Sequence, residues 1–530
     1  MTCLKKTYDV LLKNLKIIDG TGAPAFYGDI GIKGDTIVYV GRAEGNAEKE
    51  LDCTGLVATP GFIDIHNHSD FSVISQPGAQ NYISQGVTTL VAGNCGYSGA
   101  PLAQKNRRMF EKMYGKDLPP EMDQETVSFG GYLKILEGHP KSVNIANLVG
   151  HGNIRGAVLG MEDRKPSPEE MKEMKQLLVE AMESGAFGMS TGLIYDPGIF
   201  ADTEEIAELC SIVKEYGGIY ATHIRNESDL LVEAVMEAIE VGKKAGVRVE
   251  ISHHKASGKK NWGLVRTTLD LMQYYRRLGV EITCDVYPCI FSNTGLYDCF
   301  PNWIRGQAFE EKIKQPDVRK KLRLEFSRPS TDFENIILDA GFEGLIISAT
   351  TKFKEFEGKS VAEIAKILNK DPYDTVFYLV EKERDIYILA GGMNEDDVRY
   401  ILKHNLSMVC SDSEILKFGE GVPHPRGYMA FTKIISTYVR EENLLPLEEA
   451  VRKMTSMPAW KLGLSDRGLL KPGFKADIAV FDYWNVDFDS RYGDPHHYSK
   501  GMVHVLVNGV PVILDEKFTG ERPGFVLRKK

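Results

Sequence analysis

Between residues 61 and 412 the chain repeats one pattern: an apolar, branched run, a polar loop, then a helical segment. No other feature limits the possible folds as much. The runs are GFIDIH (61–66), TTLVAGN (88–94), NIANLVG (144–150), GAFGMST (185–191), IYATHI (219–224), RVEISH (248–253), VEITCDV (280–286) and LSMVCSD (406–412). Near-continuous apolar runs suit strands buried on both faces, as in parallel sheets covered by helices. The helical grammar is clearest at Ser167–Gly185. Ser167 stands as N-cap, Pro168 at the first helical position and Glu170 closes a capping box. Met171, Met174, Leu177, Leu178 and Ala181 then share one face and Gly185 terminates. Similar helices are expected at about 203–216 and 229–245. Eight strands in βα succession is the count for an α/β (β/α)8 TIM-like barrel, and an open doubly wound sheet is the alternative that periodicity leaves open.

The ends of the chain have a different texture. YDVLLKNLKIIDG, DIGIKGDTIVYVG and LDCTGLVATP are short β-like runs without helices between them, and KADIAVFD and MVHVLVNGVPVILDEKF repeat that character near the end. Asn508-Gly509 reads as a hairpin turn. The expectation is a composite β-domain from 1–59 and 466–530 around a barrel over 60–465. One interval breaks the barrel rhythm, because the seventh run ends near Val286 and the eighth begins near Leu406. That gap far exceeds a normal βα connection, so an inserted lid subdomain is expected over about 291–350, above the mouth where barrel insertions sit.

Composition narrows the function class. The 530 residues carry 64 basic and 74 acidic side chains, a net charge of −10, without a Lys/Arg block. Nucleic acid and anionic membrane are therefore not expected as partners. No apolar run approaches the roughly 18 residues of a spanning helix. The start, MTCLKKTYDVLLKN, interrupts its apolar residues with Lys13 and Asn14, so no signal-peptide core develops. Eight cysteines (3, 53, 95, 210, 284, 289, 299 and 410) form no CxxC pair. They suit reduced thiols and a cytoplasmic location.

Candidate metal ligands gather at the ends of the runs. His66 and His68 lie two apart, so on an extended strand both imidazoles point the same way. His223 closes IYATHI, His253 closes RVEISH, Asp412 follows LSMVC and Cys95 follows TTLVAGN. A buried, satisfied histidine is the bland account of any one of these, but barrel chemistry belongs at this end of the strands. Imidazoles with a carboxylate suit zinc, iron or manganese, and a thiolate in the same shell favours zinc. Cys95 sits in AGNCGYSG between glycines that allow close backbone approach.

ATPGFIDIHNH after a β-rich start, with RGLLKPGFKADIAVFD near the end, resembles the amidohydrolase superfamily. GNCG (93–96), GHGNIRG (150–156), MSTGLIYDPG (189–198), THIRNE (222–227), ISHHK (251–255), CSDS (410–413) and HPRGYMAFTKII (424–435) resemble, more closely, the D-aminoacylase (N-acyl-D-amino-acid deacylase) family. The resemblance implies a tightly held Zn2+ on Cys95, His223 and His253, with His66 and His68 forming a second, weaker position bridged by the Cys95 thiolate. MSTGL carries Ser190 and Thr191 where many wider relatives carry a bridging lysine. His253 and His254 point in opposite directions on a strand, and His253 matches the family ligand.

The implied reaction is hydrolysis of the amide bond of N-acyl-D-amino acids to a carboxylate and a free D-amino acid. A metal-activated water attacks, with Asp412 as general base and then general acid. Lys255 and Tyr287 are expected to hold the substrate carboxylate, with Arg225 and Tyr195 as weaker candidates. Ser292 is not assigned, and His151, His424 and Arg426 match family motifs without a firm role. The implied partner is a small-molecule substrate, and D-selectivity is implied by resemblance alone. Two readings compete: a cyclic amidase or dipeptidase of the same superfamily, and a catalytically silent barrel used for assembly. Against the last stands the presence of every expected ligand type.

Overall fold

The structure is a computed structural model that describes residues 6–306 and 308–530, so Cys3 lies outside the described residues. All eight apolar runs form parallel strands: Phe62–Asp64, Val87–Ala92, Asn144–Gly150 with a break at Leu148, Gly188–Gly192, Ile219–His223, Arg248–Ile251, Ile282–Val286 and Ser407–Val409. Each pairs with the next in sequence order. The break in the third strand is spanned by Leu148 N–H, which donates to Ala92 O of the second strand at 2.9 Å.

The ring closes between the eighth strand and the first. Asp412 N–H donates to His66 O at 3.0 Å and His68 N–H to Ser413 O at 2.9 Å. The buried Asp64 carboxylate adds a side-chain seam, accepting from Ser411 N–H at 2.9 Å, Ser411 Oγ at 2.5 Å and Asn67 Nδ2 at 2.9 Å. These bonds exclude the open sheet and make the fold a (β/α)8 barrel.

The outer helices follow their sequence signals. Pro168–Glu183 carries the complete Ser167–Glu170 capping box, and buries Met174, Leu178 and Ala181. Thr203–Glu215 is capped by the Asp202 side chain, and Leu231–Ala245 follows the next strand. No helix among the described residues is long and apolar enough to cross a membrane.

Both chain ends contribute to one nine-stranded sheet. Strands from 478–518 pair through Val57–Pro60 with Lys6–Ile17, Phe26–Lys33, Thr36–Gly41 and Gly45–Asp52. Asn508 and Gly509 take φ of 48° and 80°, the left-handed pair that a two-residue hairpin turn requires.

Two stretches differ from the expected boundaries. The segment expected to end near 350 continues to Gly391. Its sheet consists of Phe291–Gly295, Leu345–Ala349 and Tyr387–Gly391, with the last of these in the middle. Without Tyr387–Gly391 the other two strands have no common partner. The insertion also has its own apolar core, in which Phe300, Phe326 and Phe377 meet Ile347 and Ile388.

The last residues leave the β-domain altogether and run under the barrel floor. Gly524 N–H donates to Lys141 O at 2.8 Å, Ile145 N–H to Phe525 O at 2.9 Å, Leu527 N–H to Ile145 O at 2.7 Å and Lys529 N–H to Gly185 O at 2.9 Å. At about 1 kcal/mol net for each such bond, removal of residues 523–530 is expected to cost about 4 kcal/mol. Calorimetry should show a lower Tm while zinc is retained, since the tail lies at the opposite strand ends from the candidate ligands. An unchanged Tm would show that the tail does not hold the floor.

Candidate metal centre

Every expected ligand lies at, or just beyond, the C-terminal end of a barrel strand, and the backbone turns sharply at three of them. Cys95, His253 and Asp412 adopt φ of 51°, 36° and 50°, a left-handed conformation that costs a non-glycine residue about 1–3 kcal/mol. The glycines around Cys95 make its turn possible. Gly93 has φ of 80° and a Cβ there would lie 2.0 Å from Leu148 O; at Gly96 it would lie 2.7 Å from Gly192 N.

The result is a buried convergence of donors. Cys95 Sγ stands 3.3 Å from His66 Nε2, 3.7 Å from His223 Nδ1 and 3.4 Å from His253 Nε2. A tetrahedral zinc ion with bonds of about 2.3 Å to sulfur and about 2.0 Å to nitrogen spaces such donors about 3.5 Å apart. The donor set and its spacing fit zinc. Asp412 Oδ1 closes the other side, 3.4 Å from His66 Nε2 and 3.1 Å from His68 Nε2.

Charge supports the arrangement. Burial alone pushes the Cys95 thiol up, but the imidazoles of His66 and His253 outweigh it and hold the group well below its ordinary range, as a thiolate ligand requires. Burial likewise opposes ionisation of Asp412, and Arg426, His253 and His68 reverse that.

Two carboxylates that sequence reasoning passed over flank the imidazoles. Glu227 Oε1 lies 3.0 Å from His253 Nδ1, and Asp285 Oδ1 lies 3.6 Å from His66 Nδ1. Asp285 also grips the turn itself, accepting His253 N–H through Oδ1 and His254 N–H through its carbonyl, each at 2.7 Å. Outer partners of this kind set ring orientation and ligand basicity. The available signal was an acid inside the apolar run VEITCDV and one beyond THIRN.

The expected substrate residues separate into groups. Lys255 lines the cavity, but its Nζ lies 2.6 and 2.8 Å from the Glu227 oxygens, so its charge is already offset. Tyr195 also lines the cavity, its ring 5.0 Å from that of His223 and its hydroxyl 3.3 Å from Thr294 Oγ1. Tyr287 does not offer its hydroxyl to the cavity, because that group bonds Met393 Sδ at 3.4 Å. Its ring instead lies beneath the Arg426 guanidinium, 4.4 Å away.

Arg225 is not at the metal cluster. Glu237 holds it at 2.9 Å through two hydrogen bonds, and it faces a separate cavity of about 170 Å³. His254 turns away to Thr268, His151 pairs with Glu205, and His424 bonds Phe291 O.

Arg426 is the residue whose part the motif alone did not reveal. It is buried, its Nη1 forms an ion pair with Asp412 Oδ2 at 2.8 Å, and its Nε has no hydrogen-bond acceptor among the described residues. Buried donors without acceptors are rare and costly, and at a cavity wall they point to an anionic ligand.

Cys95→Ala and His223→Ala are each expected to lose most bound zinc by metal analysis. Asp412→Asn should keep zinc while kcat falls by at least about a hundredfold. A full zinc complement in both ligand variants would contradict the assignment.

The chain matches the model of the amidohydrolase family over residues 49–288 and 341–513. It is 36% identical to a D-aminoacylase of Alcaligenes xylosoxydans xylosoxydans over 98% of each chain. Among solved structures, it superposes with a TM-score of 0.83 and 32% identity on an N-acyl-D-glutamate deacylase of Bordetella bronchiseptica, covering 99% of this chain and 100% of that one. That enzyme was crystallised with zinc and a phosphonate inhibitor that mimics the tetrahedral intermediate. A D-aminoacylase structure described with a binuclear metal centre superposes with a TM-score of 0.82 and 33% identity over 98% of this chain and 100% of that one. The barrel, its donor cluster and these matches lead to one conclusion: the chain belongs to the amidohydrolase family, in its D-aminoacylase branch.

Proposed function

We propose that this protein is a zinc-dependent hydrolase that cleaves N-acyl-D-amino acids to a carboxylate and a free D-amino acid. The observation that carries this reading is the sharing of one cavity by zinc-spaced donors, the Asp412 carboxylate and the buried guanidinium of Arg426. Relatives that hydrolyse this substrate class match nearly the whole chain. The seven described cysteines are free and buried, which suits action in the cytoplasm.

Zinc, when bound by Cys95, His223 and His253 with His66 and His68 at a second, weaker position, supplies Lewis acidity and makes water nucleophilic at neutral pH. The protein's own groups do the rest. Arg426 draws the substrate carboxylate to the wall beside Asp412, with Lys255 near it and the Tyr287 ring supporting both cations. Asp412 takes a proton from the attacking water on a carboxylate oxygen and returns it to the leaving nitrogen, without which the amine departs poorly. Glu227 holds the His253 ring in one orientation, and Asp285 holds the backbone turn that carries it. Tyr195 walls the cavity next to His223.

Matched N-acetyl-D- and N-acetyl-L-methionine decide the reading. The purified, zinc-loaded protein should favour the D form by at least about a hundredfold in kcat/KM, a discrimination within reach of a site that pairs polar groups with its substrate. Equal rates would overturn it. Arg426→Gln should raise KM for the free acid by at least about tenfold and alter an N-acetyl-D-methionine amide much less. Equal losses on acid and amide would place Arg426 in control of Asp412 alone.

A further inference from the structure

The cavity that contains the metal donors measures about 1760 Å³, beyond the about 300–1,000 Å³ of ordinary small-ligand sites and far more than an N-acetyl amino acid fills. One stretch of its wall forms a lobe that carries apolar side chains. The helix Arg107–Tyr114 follows the second barrel strand, and the helix His151–Leu159 follows the third. From these and the residues just beyond, Met109, Met113, Tyr114, Leu159 and Met161 line the cavity beside the charged Arg108, Glu111 and Lys112, and the Phe71 ring lies 4.9 Å from that of Tyr114. Three methionines give this wall side chains that are apolar and adaptable in shape.

The helix Arg107–Tyr114 is divided lengthwise. Met109 and Phe110 are buried, while Arg108, Glu111 and Lys112 are exposed. Lys112 Nζ pairs with Asp385 of the insertion at 3.0 Å. The insertion thus meets the charged side of the helix.

Position within the ring says what enters. Lys255 follows the sixth strand and Tyr287 the seventh, and Arg426 lies over the Tyr287 ring. In a ring of eight, the second and third strands stand across the axis from the sixth and seventh. The apolar lobe and the wall that carries Arg426 and Lys255 therefore face each other with the zinc-spaced donors between them. In an N-acyl amino acid the carboxylate and the acyl chain lie on opposite sides of the scissile amide. With the carboxylate at Arg426 and the carbonyl at the donors, the acyl chain is directed into the lobe.

We infer that the preferred substrates are N-acyl-D-amino acids carrying a long apolar acyl chain. This inference rests on the function proposed above.

The experiment is a series of N-acetyl-, N-butanoyl-, N-hexanoyl- and N-octanoyl-D-methionine, with a second series that keeps acetyl and lengthens the amino-acid side chain. Burial of each methylene in the lobe should raise kcat/KM by about twofold to fourfold along the acyl series, mainly through KM. Met113→Glu, which brings a charge into the lobe, and Met161→Trp, which fills it, should each reduce the octanoyl-to-acetyl ratio by at least about tenfold. D-selective hydrolysis with acetyl equal to or better than octanoyl overturns the inference and leaves the proposed function standing. A gain with side-chain length but not acyl length also overturns it, by placing the side chain in the lobe. So does an unchanged ratio in both folded, zinc-loaded variants. Absence of hydrolysis across both series overturns the proposed function as well.

Discussion

The seam between the first and eighth barrel strands is the constraint on which the site depends. Asp412 approaches His66 and His68 only because the main chain at 412–413 is bonded to that at 66–68. The Asp64 carboxylate locks the same junction from below through Ser411 and Asn67. Burial raises the Asp64 pKa to about 6 even against those hydrogen bonds, so the seam carries a desolvation cost as well as a gain. A fully buried carboxylate is retained here because its two oxygens satisfy the backbone and side chain of the strand end that brings in Asp412. Ring closure and assembly of the metal shell are thus one structural event.

The same economy appears around the ligands. Cys95, His253 and Asp412 sit in left-handed backbone, a conformation that persists only where surrounding contacts over-determine it. Asp285 supplies such contacts at His253 and 254, and the close approach of Gly93 to Leu148 supplies them at Cys95. Turning the chain at the last moment aims short side chains such as Cys and Asp inward from a strand end that would otherwise carry them past the axis. Glu227 then holds both the His253 ring and the Lys255 charge, which ties the turn to its neighbours.

Much of this was legible because periodicity and position carry it. Eight apolar runs spaced by helices gave the strands, and the capping box at Ser167 gave a helix start, since both are local signals. The ligand types stood at run ends, which is where barrel chemistry collects. What escaped depends on tertiary partners. Nothing in YPCIF tells whether the Tyr287 hydroxyl meets solvent, substrate or Met393. Nor does THIRNE reveal that Arg225 faces Glu237, whose helix follows later, while Glu227 turns inward. The insertion was cut short for a similar reason, because the central strand of its sheet comes last in the chain and after two helices.

The tail beneath the barrel floor has a practical meaning. Its hydrogen bonds fasten residues 524–529 to the N-terminal ends of the third and fourth strands, whereas the cavity opens at the C-terminal ends. Lys530 is exposed at that closed pole. A molecule tethered to a support through Lys530 would therefore stand with its entrance directed into solution. The linker's pull would be taken up by backbone already bonded across two strands, leaving the insertion and the helix Arg107–Tyr114 free to admit and release whatever the cavity holds.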